Sequence, residues 1–301
     1  MVSGLPGEQY EKYRRAGRIA SRIKGLLRDL VAEGELALEI CEKVEGWTIE
    51  LGGRPAFPCN IGINEVAAHF TPGPDDETRI PEGSIVKVDF GVHVDGYISD
   101  NAITYVFDSK YEHLRIAAEE ALLSATDAIR AGLRASEIGA IVEKEIIRRG
   151  CKPIRDLTGH KMDRYSLHAG KSLPNVHDID GNRILEGEVY AIEPFVTLPK
   201  GAGTVIGRGG QIYRLAKEKG IGDRRAIEML NFIRGEYRGL PFAQRWILGA
   251  HFPMDYMEAW MELVRKKCIM PYPVLVESSN SPVAQSEHTV IVLGDGCEVL
   301  T

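Results

Sequence analysis

The sequence has few cysteines, and none of them forms a Cys-x-x-Cys pair. The five are odd in number and stand far apart, at Cys41, Cys59, Cys151, Cys268 and Cys297. This pattern excludes a zinc ribbon and a disulfide framework, and it favours free thiols in a reducing compartment. The chain also lacks an apolar run long enough to cross a bilayer and a signal peptide at its N-terminus. We therefore expect a cytoplasmic protein with no membrane partner.

Positive charge and phosphate-binding loops are also scarce. The chain carries 37 Lys and Arg against 43 Asp and Glu, and its net charge of -6 argues against direct nucleic-acid binding. Glycine is concentrated in residues 201–210, but no Gly-Lys-Ser/Thr follows, so this stretch is not a phosphate loop. The remaining composition, with 44% hydrophobic residues, is that of an ordinary globular protein with a substantial core.

Residues 86–100 stand out because apolar side chains alternate along them, which is the period of a β-strand. The Asp95-Gly96 dipeptide in the middle is a strong signal for a two-residue hairpin turn. With that turn, Asp89 and Asp100 share one face as diagonal neighbours, about 7 Å apart at Cα. Only the small residues Gly91 and Ala102 flank them. On the hairpin alone, a solvated face with two exposed acids is the better interpretation.

Three further residues change that balance: His160 and two acids within apolar strands, Glu193 and Glu287. Taken singly, a salt bridge, a wet strand face or an ordinary loop histidine explains each of them. An unpaired carboxylate inside an apolar strand is costly to bury, and a cation removes that cost. With Asp89 and Asp100 they form an oxygen-rich set that suits Mn, Fe(II) or Co(II) better than a structural zinc. Such a set can hold two metals about 3.5–4 Å apart and activate a shared water, which indicates hydrolase chemistry.

The coarse secondary structure places helices ahead of antiparallel strands twice along the chain. Helical periodicity predicts helices at 8–33, 37–45, 111–132 and 135–149, with an extended segment at 47–51. Residues 201–210 are predicted to be a mobile connector, and residues 211–270 to be helical. Strands are predicted around Glu193 and Glu287. This order fits an α+β fold with two similar halves.

As a set, these motifs closely resemble those of the type 2 methionine aminopeptidases, in the short form typical of archaea. The resemblance extends over essentially the whole chain and includes the insert between the fourth and fifth candidate ligands. It implies the pita-bread fold, which is α+β with pseudo-two-fold halves, metals in the central sheet and a helical insertion. The segments that carry the resemblance are Phe57-Pro58, Ala67-Ala68-His69, Val88-Asp89-Phe90-Gly91, Asp100, Gly159-His160, Leu167-His168-Ala169-Gly170, Ala191-Ile192-Glu193-Pro194-Phe195 and Ala284-Gln285-Ser286-Glu287-His288-Thr289.

The resemblance implies a dinuclear metal site with a bridging water or hydroxide. Asp89 would chelate one metal, and His160 and Glu193 would bind the other. Asp100 and Glu287 would bridge both. The expected cofactors are two divalent ions, with Co, Mn or Fe(II) favoured and Zn as an alternative.

The resemblance also implies catalytic and substrate-binding roles. Glu193 would shuttle a proton, and His69 would hydrogen-bond the scissile carbonyl or the tetrahedral intermediate. His168 would contact the substrate backbone. The residues that would line the methionine pocket are Phe57, Leu167 and Tyr272. Where the family often has a pocket histidine in the insertion, this sequence has Gln211-Ile212-Tyr213.

The implied activity is removal of the initiator methionine from nascent proteins and peptides with a small second residue. The implied partners are the N-termini of nascent chains, with transient ribosome association, and we expect a monomer. Residues 1–301 would form one metallopeptidase domain, within which residues 201–271 would form a helical insertion subdomain.

Two other interpretations stay open. An Xaa-Pro peptidase shares the pita-bread fold, but such enzymes usually carry a separate N-terminal domain, and the segment before Asp89 is short for one. A non-catalytic relative would use the fold to bind protein or RNA. Such relatives lose metal ligands and tend to carry basic extensions, whereas all five candidate ligands are present here.

Overall fold

The structure is a computed structural model that describes residues 4–179 and 182–301. Within these residues, the α-helices are α1 (Gly7–Leu27), α2 (Ala37–Glu50), α3 (Glu112–Ala128), α4 (Ala135–Arg148), α5 (Arg224–Tyr237) and α6 (Met257–Arg265). The strands are β1 (Arg54–Ile63), β2 (Val66–Ala68), β3 (Ile85–Val94), β4 (Tyr97–Val106), β5 (Lys152–Pro153), β6 (Thr158–Met162), β7 (Ser172–Pro174), β8 (Val189–Ile192), β9 (Phe195–Thr197), β10 (Val205–Arg208), β11 (Ile212–Leu215), β12 (Phe242–Ala243), β13 (Ile269–Pro271), β14 (Val274–Glu277), β15 (Val283–Gln285), β16 (His288–Val292) and β17 (Cys297–Val299). No helix in this part of the chain is long and apolar enough to cross a membrane.

The predicted hairpin is confirmed, and so is its register. β3 and β4 pair along their full lengths, with Asp89 opposite Ala102 and Asp100 opposite Gly91. Both residues of the Asp95-Gly96 loop have positive φ, 53° and 88°, as a type I′ turn requires. β1 pairs with the other edge of β3, which gives a sheet in the order β1-β3-β4. This sheet is the frame that holds the two hairpin acids.

Helices α1 and α2 cover the apolar face of this sheet. Val86, Val88, Phe90 and Val92 of β3 are buried in the same cluster as the inner faces of both helices. Each such side chain contributes about 1.5–3 kcal/mol when it leaves water. The face that the sequence assigned to the core is therefore the one that packs, and the acids point to the other side.

Two helix boundaries differ from the prediction. Residues 47–50 are helical and not extended, because the buried positions 37, 40, 41, 44, 45 and 48 continue one helical stripe through this segment. That packing outweighs the local strand preference of Trp47 and Ile49. In addition, α1 ends at Leu27, well before the predicted residue 33.

The second half repeats the order of helices before strands. α3 and α4 pack on the sheet β17-β16-β8-β6-β7 and on the smaller sheet β15-β9-β5. The inner face of α3 is rich in alanine, which allows a close approach to the strands. The buried alanines on it are Ala117, Ala118, Ala121 and Ala125. The α+β architecture with two similar halves is confirmed.

Residues 201–271 are only partly helical. Residues 205–208, expected to be a mobile connector, form β10 and pair with β14, so that expectation is wrong. Within residues 211–270, α5 and α6 share a core with the sheet β12-β11-β13, and Trp260 lies at its centre. The prediction of a helical segment missed these strands because each is only two to four residues long.

A buried ion pair joins this segment to the first half. The Arg245 guanidinium pairs with Glu45 of α2 and also donates to the Thr71 hydroxyl (2.8 Å). Glu45 further accepts from the Trp246 indole (2.8 Å) and from the Cys59 backbone N–H (3.1 Å). Loss of one partner of a buried pair typically costs about 3–5 kcal/mol, because the other charge stays buried. The segment is therefore fixed against β1, next to the cleft described below.

A second polar clamp lies at Glu277, at the end of β14. Its fully buried carboxylate accepts from the backbone N–H groups of Gly203 (3.0 Å), Ser279 (2.8 Å) and Ser281 (3.0 Å). Burial would raise the pKa of Glu277, but the hydrogen bonds from Ser279, Ser281 and Gly203 lower it below the usual 4.5. A carboxyl with a lowered folded-state pKa stabilises the fold above its unfolded pKa, and that contribution is lost as the pH falls through the folded value.

We therefore expect Glu277→Gln to lower the free energy of unfolding at pH 7 by about 2–3 kcal/mol, since hydrogen bonds to a charged group are removed. The difference from wild type should shrink as the pH falls below 4.5. Urea unfolding at pH 7 and pH 4 measures both effects. Glu258→Gln, at an exposed position on α6, is the control and should unfold like wild type. A pH-independent difference would contradict the role of the charge.

Candidate metal centre and cleft

The two halves meet edge to edge at β4 and β16. The Asp100 backbone N–H donates to the Thr289 hydroxyl oxygen (2.7 Å), and that hydroxyl donates to the Asp100 carbonyl (2.7 Å). The Glu287 backbone N–H donates to the carbonyl of Ala102 (3.2 Å). Because of these bonds, an acid of the hairpin and an acid at the start of β16 face each other across the junction.

Asp100, His160 and Glu287 offer ligand atoms that all lie within 4.8 Å of one another. The Nε2 atom of His160 lies 3.5 Å from Asp100 Oδ2 and 3.5 Å from Glu193 Oε1. Asp89 reaches the group from β3, where it shares the acidic face with Asp100. The structure thus brings together all five residues that the sequence proposed as metal ligands.

The electrostatics of this group fit a bound cation. Burial raises the pKa of Asp100 to about 7. Burial, and after it the charge of Asp100, raises the pKa of Asp89, Glu193 and Glu287 well above the usual carboxyl range. Four buried carboxylates cannot all ionise beside one another unless positive charge compensates them.

The unused hydrogen-bonding capacity points the same way. Within the described residues, Asp89 Oδ1, Asp100 Oδ1 and Glu287 Oε1 are buried and accept no hydrogen bond. Burial lowers the pKa of His160 to about 4, so its imidazole is neutral at pH 7 and can offer a lone pair. A hard divalent cation takes carboxylate oxygens and one imidazole nitrogen as ligands. The donor set therefore fits divalent metal.

These residues form the floor of a cleft with a volume of about 230 Å³. Every residue that the sequence proposed for metal binding, catalysis or the substrate pocket lines this cleft. They are Phe57, His69, Asp89, Asp100, His160, Leu167, His168, Glu193, Tyr272 and Glu287. One end is apolar and enclosed, since Phe57 and Leu167 are only 6% and 8% exposed.

Gly91 lies directly beneath the Phe57 ring. A β-carbon at position 91 would come within 2.3 Å of that ring, a distance that real side chains do not tolerate. Glycine is therefore required here by the close approach of an aromatic side chain that lines the enclosed end.

We expect Gly91→Ala to displace Phe57, raise KM for a methionyl peptide about tenfold and leave metal content unchanged, because one misplaced pocket contact is worth roughly 1–3 kcal/mol. Kinetics on the metal-loaded variant and elemental analysis test this. Gly46→Ala, on α2 where a β-carbon meets no atom within 4 Å, is the matched control. Unchanged KM in Gly91→Ala would contradict the packing argument.

His69 is fixed by a hydrogen bond and an aromatic contact. Its Nδ1 atom lies 3.2 Å from the carbonyl oxygen of Pro273, and its ring meets Tyr272 edge-on at 5.4 Å. A carbonyl oxygen only accepts, so Nδ1 carries the hydrogen and a neutral ring presents the Nε2 lone pair. Burial lowers the pKa of His69 to about 4, which keeps the ring neutral at pH 7.

His168 sits on the loop between β6 and β7, with its ring 4.3 Å from that of His160. The loop is attached to the hairpin turn, since the Tyr165 backbone N–H donates to the Gly96 carbonyl (2.9 Å). The guanidinium of Arg238 stacks on the Tyr165 ring at 4.2 Å. The loop that carries His168 is thus held from both sides.

Comparisons with known proteins agree with this geometry. The sequence model described as Metallopeptidase family M24 matches residues 11–223. The methionine aminopeptidase of Methanothermobacter thermautotrophicus is 44% identical over 97% of this chain and 98% of its own length. The chain belongs to the methionine aminopeptidases of this metallopeptidase family. The resemblance stated from the sequence motifs is thereby confirmed.

Solved structures show the same fold. A thermophilic Arx1 matches with a TM-score of 0.81 at 18% identity, over 99% of this chain and 91% of that one. The methionine aminopeptidase of Rickettsia prowazekii matches with a TM-score of 0.70 at 20% identity, over the whole of both chains. The pita-bread fold expected for a methionine aminopeptidase is confirmed.

Sequence reasoning missed several residues that line the cleft of this methionine aminopeptidase. Ile212 and Pro241 come from the segment 201–271, and Ile212 belongs to the tripeptide that replaces the family's pocket histidine. Asn60, Asp156 and Leu275 complete the missed set. No local signal marks these residues, because their role depends on strand pairings such as β10–β14 and β2–β14.

Proposed function

We propose that this chain is a metal-dependent methionyl aminopeptidase that removes N-terminal methionine from peptides and nascent chains. The observation that carries the proposal is a set of four buried carboxylates and one neutral imidazole at the floor of a cleft whose inner end is apolar. An enclosed apolar pocket suits an unbranched thioether side chain. The family membership supports the same activity.

The ligand assignment is part of this proposal. Asp100 and Glu287 bridge two divalent cations, which the mutual proximity of Asp100, His160 and Glu287 supports. His160 and Glu193 hold one cation, and the 3.5 Å between His160 Nε2 and Glu193 Oε1 is consistent with shared coordination. Asp89 holds the other. The oxygen-rich donors favour Mn, Fe(II) or Co(II) over Zn.

Bound divalent cations would acidify water and polarise the scissile carbonyl. Glu193, whose pKa is raised by burial and by Asp100, takes a proton from the attacking water and returns it to the leaving amine. His69 Nε2 accepts a hydrogen bond, so the observed tautomer favours contact with the N–H of the tetrahedral intermediate over contact with the carbonyl. His168 contacts the substrate backbone from the held loop.

The segment 201–271 contributes one wall of the cleft as an insertion subdomain and supplies no metal ligand. Ile212 and Pro241 support this part of the proposal. We further propose that the chain acts as a cytoplasmic monomer on nascent N-termini, with only transient ribosome contact. The scattered cysteines, none of which forms a disulfide in the described residues, support the reducing compartment.

The test is to load metal-free protein with Mn, Fe(II) or Co(II) and to measure release of methionine from Met-Ala-Ser. A library varied at the first residue and in length then separates this function from that of an Xaa-Pro peptidase. We expect cleavage of methionyl peptides of any length with a small second residue, and much weaker cleavage after charged first residues. Faster cleavage of Leu-Pro or Ala-Pro dipeptides would establish the Xaa-Pro alternative. Metal binding with no hydrolysis of any peptide would favour the non-catalytic one.

A further inference from the structure

The cleft carries an acid that the metal site does not use. Once Asp89, Asp100, Glu193 and Glu287 are assigned to cations, Asp156 is the charged side chain left among the described residues that line the cleft. With the four ligand carboxylates compensated, its charge sets the sign of the local potential at that wall.

Asp156 is held in place and is open to solvent. Its Oδ2 atom accepts from the backbone N–H of Val205 at 2.8 Å, at the start of β10. The neighbouring Arg155 lines a different cavity, together with Glu143 and Lys152, so it does not face the same space. The carboxylate therefore presents its second oxygen to the cleft without a cationic side chain from the adjacent position.

The position of Asp156 corresponds to the exit path of the substrate. An aminopeptidase holds the first side chain at the enclosed end, where Phe57 and Leu167 are buried, and the rest of the chain must leave through the open end. Asp156 is exposed, four residues before His160, so its Cα lies at most about 13 Å from that of His160 at roughly 3.3 Å per extended residue. An extended substrate with its scissile bond at the metals covers that distance with its third or fourth residue.

We propose that Asp156 is a specificity-determining residue that favours substrates with a cationic side chain, lysine or arginine, at the third or fourth position. This rests on the proposed aminopeptidase function. Asp156 acts by attraction between a solvent-exposed carboxylate and a flexible side chain, so the preference is modest and sensitive to salt. An exposed pair of this kind changes an equilibrium about two- to fivefold.

The experiment compares Met-Ala-Lys-Ser, Met-Ala-Gln-Ser and Met-Ala-Glu-Ser, together with the series Met-Ala-Ser-Lys, -Gln and -Glu, on the metal-loaded enzyme. In at least one series we expect kcat/KM for Lys to exceed that for Gln about two- to fivefold at low salt. The ratio should approach one in about 0.5 M salt, where exposed charges are screened. Asp156→Asn should abolish the ratio, whereas Asp127→Asn, an equal charge change on the exposed side of α3, should preserve it.

A binding measurement separates this proposal from the proposed function. The same peptides with a reduced, non-hydrolysable Met-Ala bond are titrated calorimetrically into wild type and Asp156→Asn. If no peptide is hydrolysed, the aminopeptidase function fails, but a Lys preference in Kd that Asp156→Asn removes still supports the role of Asp156. An equal Lys-to-Gln ratio in wild type, or the same ratio in Asp156→Asn as in wild type, overturns that role.

Discussion

Asp100→Ala should lose both divalent cations and lower kcat/KM by more than about 100-fold, the upper range for residues that only support a ligand. The reason is its central position: Asp100 lies within ligand distance of His160 and Glu287 and shares a face with Asp89. Its removal would open both coordination spheres at once. Elemental analysis after metal loading and desalting measures the first effect, and Met-Ala-Ser turnover measures the second.

Two controls make the Asp100 result interpretable. Asp95→Asn lies in the turn of the same hairpin, is exposed and pairs with Lys12 at 3.1 Å, so it should bind metal like wild type. Asp100→Asn keeps the shape of the side chain and should fold. Because burial raises the pKa of Asp100 from 3.8 to about 7, its charge costs metal-free wild type stability above pH 7, and that cost disappears as the pH falls toward 3.8. Metal-free Asp100→Asn should lack this pH dependence, and full metal occupancy in Asp100→Ala would remove Asp100 from the bridging role.

His69→Ala should keep the fold and both cations but lower kcat about 100- to 1,000-fold, which is typical for loss of one polar group aimed at the reacting centre. KM should change less, because the contact forms with the tetrahedral intermediate. Steady-state kinetics on the metal-loaded variant separates the two constants.

The backbone at His69 suggests a matched second variant. Its φ of 64° lies in the left-handed region, where asparagine is tolerated better than most residues. His69→Asn should therefore match wild type in thermal unfolding and metal content while it shares the loss in kcat. Wild-type turnover in either variant would return His69 to a structural role, in which it only packs against Tyr272 and caps the Pro273 carbonyl.

The hairpin and its acids were predictable because they depend on local chemistry. The period of two, the Asp95-Gly96 turn and the side-chain alternation together define one register, and the structure has that register. Glu193 and Glu287 were detectable for a related reason, since an acid inside an apolar strand needs a partner. The combined motifs then identified the family.

The missed features depend on contacts between distant segments. Helix α2 extends to Glu50 because its buried stripe continues, although Trp47 and Ile49 favour strands locally. β10 forms because β14 offers it an edge, which the Gly-rich sequence does not announce. Asp156 and Ile212 reach the cleft through pairings that involve residues far away in the chain. Local periodicity carries no information about such pairings.

The central claim is that five named side chains hold two divalent cations, and anomalous diffraction from crystals soaked in Mn(II) tests it most directly. The account predicts two anomalous peaks about 3.5–4 Å apart, the spacing of two-metal hydrolase sites. Both peaks should contact Asp100 and Glu287, with Asp89 on one and His160 and Glu193 on the other. A single peak under saturating metal, or peaks ligated by side chains outside this set, would contradict it.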